Sequence, residues 1–365
     1  MSLLPINVAN YNGKIGALTV NNAIVTPYVL GTSILKGTVE CYGDSITIGV
    51  DLSSPTTQRY TALLAAQYGF TELNTAVAGD GTQDMLTKVY NNHIPGRTCI
   101  VKIGYNDVSF NINTDANMYM VLDDFMAQML YLCLSSTQLV SNRAPNVTLT
   151  GTWANTGFTY GGSYTNTTGS TTQASVTGRY VGFFITVNPS NATPISIVVD
   201  GAAALTIVTY YPPVGGTPNG TTWGSLCWFF DTGVTTPGTT HSIAVISTST
   251  ITCDIEFFFG FDNLSGATNS PVVVLGLETN SFQQTTANYS AGNLVRQYLV
   301  NSFQQQTVTN LRQKYGAKIT FCADIPDFSW GNKFSDLIHP DKHGHVRLQQ
   351  LVTKVLTTGE VLNYV

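Results

Sequence analysis

The chain has 365 residues, of which 43% are hydrophobic and 10% charged, and its formal net charge is −5. This length and apolar content suffice for one large or two ordinary domains, which excludes a wholly disordered chain. Sixteen Lys and Arg residues against twenty-one Asp and Glu residues leave no basic surplus for phosphates, so we expect no nucleic-acid partner. We also expect no membrane span, because no apolar run approaches the roughly 20 residues needed to cross a bilayer.

The first 36 residues contain the run GALTVNNAIVTPY, which predicts a hairpin or an extended arm. β-Branched runs then alternate with helical patterns. The expected strands are 38–42, 72–78, 98–103, 272–277 and 318–323, and the expected helices are 56–68, 82–91, 115–135, 291–315 and 343–357. A strand followed by a helix five times predicts a five-stranded parallel sheet covered on both faces, which is a three-layer α/β/α fold.

The composition changes near residue 141 and changes back near residue 268. This stretch has seven charged residues, no Lys and 17 of the 39 aromatic residues of the chain. Its short β-rich runs recur about every ten residues between Gly, Pro, Asn and Thr clusters, which predicts an inserted antiparallel β-sandwich of jelly-roll-like type. The expected division is an arm at 1–36, the two halves of one α/β domain at 37–140 and 269–365, and the insert at 141–268.

The six cysteines are scattered, without the C-x-x-C spacing of zinc or redox sites. Buried free thiols are the favoured interpretation. A bridge between Cys227 and Cys253 is left open by the sequence.

Polar residues follow the predicted parallel strands, where ligands of an open α/β sheet bind. These segments are Gly43-Asp44-Ser45-Ile46, Ala78-Gly79-Asp80-Gly81, Gly104-Tyr105-Asn106-Asp107 and Asp336-Leu337-Ile338-His339-Pro340. Each alone has an ordinary explanation as a turn or a helix start. Together they supply Ser, Gly, Asn and Asp-x-x-His in that order at successive strand ends, which is not expected of four unrelated turns.

This set resembles the SGNH (GDSL-like) hydrolase family over roughly residues 38–136 and 271–357. The matching segments are Gly43-Asp44-Ser45, Asn74 to Gly79, Gly104 to Asp107 and Asp336 to His339. The resemblance implies a flavodoxin-like sheet, Ser45 as nucleophile, His339 as general base and Asp336 as the residue that orients His339. It also implies an oxyanion hole formed by the amides of Ser45 and Gly79 and the side chain of Asn106. Gly81 is an alternative to Gly79, although the spacing from Asn74 favours Gly79.

The chemistry of these residues is coherent by itself. A serine hydroxyl needs an imidazole to accept its proton as it attacks a carbonyl carbon. The Asp336 carboxylate, three residues before His339, can fix the tautomer of the ring, and Asn106 can donate to the oxyanion without adding charge. Asp80 is expected to point its carboxylate away from such a hole.

The other histidines are given structural roles. We expect His343 and His345 at the start of the last helix, at the surface or supporting the site, and His93 and His241 away from it. No metal site and no cofactor are expected, because His339, His343 and His345 do not form an HExxH-type pattern.

The aromatic residues of the insert are candidate saccharide contacts, although most are expected to fill the sandwich core. They are Trp153, Tyr160, Tyr164, Trp223 and Trp228. By analogy of fold alone, such a sandwich steers an esterase toward a glycan.

The favoured hypothesis is a carbohydrate O-acetylesterase whose partner is an acetylated glycan or polysaccharide. The alternatives are a non-catalytic receptor-binding or adhesin protein on a hydrolase scaffold, and a short-acyl or lipid esterase. The uncharged surface composition favours an extracellular or virion-associated protein, such as a bacteriophage tail component. Attachment to a virion and assembly into a homo-oligomer are left open.

Overall fold

The computed structural model describes residues 28–108, 115–155, 162–187, 193–209, 224–277, 291–322 and 339–359. The predicted hairpin of the arm lies outside these residues. The helices are α1 Ser45–Ile48, α2 Pro55–Gln58, α3 Tyr60–Tyr68, α4 Thr82–Asn92, α5 Asp115–Cys133, α6 Ala291–Tyr315 and α7 Lys342–Thr358. The strands of the parallel sheet are β1 Thr38–Gly43, β2 Thr71–Asn74, β3 Thr98–Lys102, β15 Val272–Leu275 and β16 Ile319–Cys322.

The strand order of the parallel sheet is β16-β15-β3-β1-β2. Counted along this sheet alone, the order is 2-1-3-4-5, which the doubly wound flavodoxin-like sheets share. All four pairings are parallel. The predicted mixed α/β fold with a five-stranded parallel sheet is therefore confirmed.

Successive strand residues of the sheet face opposite layers of helices, as the period of two requires. Toward α3 and α7 the sheet buries Val39, Cys41, Ile100, Val273, Leu275 and Cys322. Toward α4, α5 and α6 it buries Tyr42, Cys99, Val101, Val272, Val274, Ile319 and Phe321. The near-continuous apolar runs of the strands follow from this burial on both faces.

Two elements differ from the sequence-based expectation. The helix expected over 56–68 is broken at Arg59, whose backbone is extended (φ −68°, ψ 151°) and whose guanidinium makes two hydrogen bonds to Glu72. The strand expected over 72–78 ends at Asn74, because Asn74 Oδ1 accepts a hydrogen bond from the Ala76 amide at 3.0 Å and turns the chain.

The remaining strands form two antiparallel sheets. They are β4 Leu139–Ser141, β5 Thr148–Thr150, β6 Ala154–Asn155, β7 Ser163–Thr165, β8 Thr171–Thr177, β9 Tyr180–Val187, β10 Thr193–Val199, β11 Leu205–Thr209, β12 Gly224–Asp231, β13 Thr240–Ser247 and β14 Cys253–Phe261. One sheet has the order β11-β10-β13-β8-β5, and the other has β12-β9-β14-β7-β6 with β4 also paired to β14. The jelly-roll topology and the boundaries at 140 and 268 stay predictions.

The sheet containing β14 is buried on both of its faces. Ile255 and Phe258 face the other antiparallel sheet in one apolar cluster. Phe257, Phe259 and Phe261 pack instead with residues of α4, α5 and α6. Every residue of β14 is consequently buried, and the insert and the helical layer share one continuous core.

The six cysteines are all free, so Cys227 and Cys253 are not bridged. Cys227 packs against the cluster shared with the helices, whereas Cys253 belongs to the cluster between the two antiparallel sheets. The two side chains therefore lie on opposite faces of their sheet.

Candidate active site

The segment after β1 places Ser45 at the first position of α1. Asp44 caps this helix, since its Oδ1 accepts a hydrogen bond from the Ile46 amide at 3.0 Å. Ser45 is largely buried, with 8% of its surface exposed. Gly43 must lack a side chain, because a Cβ there would collide with Thr47 and with the Lys102 carbonyl. These contacts explain the residue types at positions 43 and 44.

The segment after β2 contains both candidate glycines. Gly79 has a φ of +87°, a left-handed conformation that favours glycine. The Asp80 carboxylate forms an ion pair with Lys88 on α4. Gly81 precedes α4, and its amide donates to Asp84 Oδ2 at 2.9 Å.

The segment after β3 holds Asn106 and Asp107, which serve different purposes. Asn106 Nδ2 donates to the Asp80 carbonyl at 2.8 Å, which orients the amide group, and an amide nitrogen carries a second N–H that can donate to another acceptor. Asp107 Oδ2 accepts from both the amide and the hydroxyl of Thr82, at 2.9 and 2.8 Å. This carboxylate lies at the amino end of α4, where negative charge is stabilised.

Hydrogen bonds join the segments after β1, β2 and β3 directly. The Val77 amide donates to the Gly43 carbonyl at 3.3 Å, and Asn74 Nδ2 donates to the Thr47 carbonyl at 3.0 Å. With the bond from Asn106 to Asp80, all three segments meet at the carboxyl edge of neighbouring strands. Ser45, Gly79 and Asn106 thus belong to one connected group of loops.

His339 lies beside the loop that follows α1. Its Nδ1 is 3.6 Å from Asp51 Oδ2, and Asp51 is six residues after Ser45. Asp336 lies outside the described residues, so its predicted contact with His339 stays a prediction. Asp51 was not among the sequence-based candidates, because an aspartate after a short helix carries no motif.

His345 is fully buried, so of the two positions expected for it, at the surface or supporting the site, the surface position does not apply. Its Nδ1 accepts a hydrogen bond from the Tyr60 amide at 3.2 Å, and its ring is stacked on that of Tyr60. Burial, together with the charge of Lys102, lowers the pKa of His345 to about 4. His345 is therefore a neutral acceptor that ties α7, and so the adjacent His339, to α3.

The remaining histidines have structural partners. His343 is exposed beside Asp341, the residue that caps α7. His241 Nδ1 is 2.6 Å from Asp200 in the insert, and His93 Nδ1 is 2.7 Å from Glu40. The last two contacts lie in the insert and at the end of α4, outside the segments that carry Ser45, Gly79 and Asn106.

One cluster of metal-type donors occurs among the described residues, formed by Glu40, His93 and Cys99. The Glu40 carboxylate already accepts hydrogen bonds from Tyr42, His93 and the Ile94 amide at 2.7–3.1 Å. Burial opposes ionisation, but the hydrogen bond from His93 lowers the pKa of Glu40. These donors satisfy the carboxylate without a metal ion.

Three of the five candidate saccharide contacts lie within the described residues. Trp153 and Trp228 are partly buried and pack against the core between the antiparallel sheets. Trp153 Nε1 also donates to the carbonyls of Thr150 and Thr171 at 3.1 Å. Tyr164 is half-buried on β7. Tyr160 and Trp223 lie outside the described residues, and a saccharide role for any of the five stays a prediction.

The insert also buries an acidic pair that sequence analysis did not single out. Asp254 and Glu256 lie on β14, and burial raises the pKa of Glu256 to about 7, against the hydrogen bond from Thr186. Burial and the neighbouring Glu256 raise the pKa of Asp254 well above its usual range. The sequence CDIEFFFGF did not predict this burial. Its alternating polar residues are equally typical of a strand with one solvent-exposed face, in which Asp254 and Glu256 would be exposed.

Among the described residues, no helix combines the length and apolar character needed to cross a bilayer. No protein-family model and no curated protein sequence matches the chain.

Several solved structures overlap parts of the chain. A two-domain esterase active on acetylated mannans is 13% identical, with a TM-score of 0.34, over 64% of this chain and 93% of the other. The catalytic domain of a GH87 α-1,3-glucanase bound to nigerose is 10% identical, with a TM-score of 0.26, over 39% and 36%. A family 35 carbohydrate-binding module from Clostridium thermocellum is 13% identical, with a TM-score of 0.24, over 33% and 95%. At these values the overlaps assign neither a family nor an activity.

Proposed function

We propose that the protein is a serine esterase of the SGNH type that removes O-acetyl groups from a polysaccharide. The observation that carries the proposal is the hydrogen-bonded joining of the segments after β1, β2 and β3, which hold Ser45, Gly79 and Asn106. A nucleophile and oxyanion donors must converge on one carbonyl group, and this edge of the sheet allows them to do so.

In the proposed reaction, Ser45 Oγ attacks the acetyl carbonyl carbon and His339 accepts the hydroxyl proton. The amides of Ser45 and Gly79 and the free N–H of Asn106 stabilise the tetrahedral oxyanion. His339 then protonates the departing sugar oxygen, which leaves an acetyl-Ser45 enzyme. Water, deprotonated by His339, releases acetate and restores Ser45. Asp336 orients the imidazole and stabilises its charged form.

The test is a screen of acetylated glycans for acetate release, together with hydrolysis of p-nitrophenyl acetate. Acetylated mannan, on which the overlapping two-domain esterase is active, forms one arm of the screen. Ser45→Ala should lower turnover by about 10⁶-fold, as loss of a serine nucleophile does in other hydrolases. Ser53→Ala is the matched control, because Ser53 is exposed and only eight positions away.

The results separate the alternatives. Acetate release that Ser45→Ala leaves intact would contradict the nucleophile. Activity that rises with acyl chain length and does not need the sugar would favour a lipid esterase. Binding of a glycan by a protein that turns over no ester would favour the adhesin.

A further inference from the structure

A chain of buried polar groups leads from the Asn106 loop to the insert. Asp107, Thr82, Gln128, Asp124 and Ser225 are each fully removed from solvent. They come from the loop after β3, from α4, from α5 and from β12. Burying a polar group costs free energy unless the group is hydrogen-bonded. The hydrogen bonds between these residues therefore stabilise the positions of the elements that carry them.

The first link fixes the loop against α4. Asp107 Oδ2 accepts the amide and the hydroxyl of Thr82, while the adjacent Asn106 donates to the Asp80 carbonyl just before α4. Two consecutive residues, Asn106 and Asp107, are therefore hydrogen-bonded to the N-terminus of α4 and to the residues just before it. A shift of Thr82 must move Asp107, and Asn106 is the next residue along the backbone.

The second link connects α4 to α5. Gln128 Nε2 donates to the Thr82 carbonyl at 2.7 Å and to Asp124 Oδ1 at 3.2 Å. Gln128 and Asp124 are four residues apart and so share one face of α5. This face is turned toward the start of α4.

The third link crosses into the insert. Asp124 Oδ1 also accepts the backbone amide of Ser225 at 3.0 Å, and Ser225 Oγ is 2.5 Å from the hydroxyl of Tyr90 on α4. Burial raises the pKa of Asp124 well above its usual range. The network thus reaches β12 through the hydrogen bond between Asp124 and the Ser225 amide.

We propose that Thr82, Gln128 and Asp124 are positioning residues that hold Asn106 in place, and that β12 of the insert anchors this network. The inference rests on the proposed function only for the role of Asn106. In this arrangement the insert, through Ser225 on β12, helps to hold the oxyanion donor Asn106 in position, in addition to any contact that it makes with a glycan. An oxyanion donor needs such support, because displacement by about 1 Å can cost 10²-fold in rate.

The test compares three threonine variants on the same acetyl ester. Thr82→Val removes the hydroxyl donor to Asp107 while keeping the side-chain shape, and Thr82→Ser restores the donor. Thr172→Val is the matched control, because Thr172 is equally buried and hydrogen-bonded, to Asn142 within the insert. We expect Thr82→Val to lower kcat about 10- to 100-fold with KM within about twofold. Thr82→Ser should recover most of kcat, and Thr172→Val should keep it.

A second measurement does not depend on activity. In protein labelled with ¹⁵N-asparagine, the side-chain signals of Asn106 are assigned by their loss in Asn106→Ala. Thr82→Val and Asp124→Ala should shift these signals, whereas Asp124→Asn, which keeps the Oδ1 acceptor, and Thr172→Val should leave them in place.

The two proposals can fail separately. Unshifted Asn106 signals in both Thr82→Val and Asp124→Ala would overturn the network, whatever the activity. An equal loss of kcat in Thr82→Val and Thr172→Val would also overturn it, because general destabilisation would then be sufficient. A wild-type protein without esterase activity would contradict the proposed function, while a shift of the Asn106 signals would still support the network.

Discussion

The parallel sheet and the antiparallel insert treat their buried polar groups differently. At the carboxyl edge of the parallel sheet, Asp44, Asn106 and Asp107 make hydrogen bonds that tie one loop to a helix or to another loop. In the insert, Asp254 and Glu256 are instead two carboxyl groups buried close together on one strand, where Thr186 donates to Glu256 Oε1 at 2.9 Å.

Two features are often used together to locate an active site: carboxyl groups with raised pKa values, and a nucleophile that lies close to hydrogen-bond donors. Carboxyl groups with raised pKa values frequently mark active sites. In this chain, Asp254 and Glu256 show that sign in the insert and Asp124 shows it on α5, whereas the convergent Ser, Gly and Asn residues are at the sheet edge. We take the convergence of nucleophile and donors as the better guide.

After the loss of Ser45 itself, the largest effect should come from the carboxylate that orients His339. Asp336→Asn should lower kcat about 10⁴-fold, because the imidazole would lose its tautomer and its stabilised charge. Asp51→Asn should cost less than about tenfold, since the half-exposed Asp51 lies 3.6 Å from His339. Steady-state kinetics on p-nitrophenyl acetate measures both, and a larger loss for Asp51→Asn would transfer the orienting role to Asp51.

Two buried asparagines test whether the regions differ as described. Asn106→Ala should lower kcat about 10²- to 10³-fold through the lost oxyanion donor. Asn142→Ala, in the insert, should keep kcat and lower the free energy of unfolding by about 1–3 kcal/mol, because Asn142 bonds Thr172 and the Ser163 carbonyl. Kinetics and urea denaturation of both variants provide the comparison. If the two variants lost kcat equally, Asn106 and Asn142 would not differ in their importance for catalysis, and the comparison would fail.

The smallest effect concerns the acidic pair and pH. The pKa of Glu256 is about 7 in the folded protein against 4.5 when solvated, so the folded state retains a proton that the unfolded chain loses. Stability should therefore fall, by about 2 kcal/mol, as the pH rises from about 5 to about 8. Glu256→Gln should weaken this dependence, as measured by urea denaturation at both pH values. An unchanged slope in the variant would show that Glu256 is not its source.

The sequence predicted the parallel sheet well because its signals are local. Apolar runs marked β1, β3, β15 and β16, whereas the apolar residues expected in the second strand lie beyond its end at Asn74. Polar motifs marked the segments that follow β1, β2 and β3. The break at Arg59 could not be predicted, since it depends on Glu72 and on the acceptor that His345 offers to Tyr60. Such long-range partners override helix propensity.

The site was predictable in part, for the same reason. Ser45, Gly79 and Asn106 belong to short motifs, and the structure brings their loops together. Asp51 near His339 and the path from Asp107 through Gln128 to Asp124 combine residues that are distant in sequence and belong to no motif. The burial of β14 on both faces could not be predicted either, because Phe257 and Phe259 pack against helices that are distant from β14 in the sequence.

The most direct test of the central claim is covalent labelling of the intact protein with a fluorophosphonate, followed by peptide mass mapping. We expect one adduct, on Ser45, that forms in the wild-type protein, forms much more slowly in His339→Ala and is absent in Ser45→Ala. A wild-type protein that stays unlabelled, or that carries its adduct on another serine, would contradict the assignment of Ser45 as an activated nucleophile.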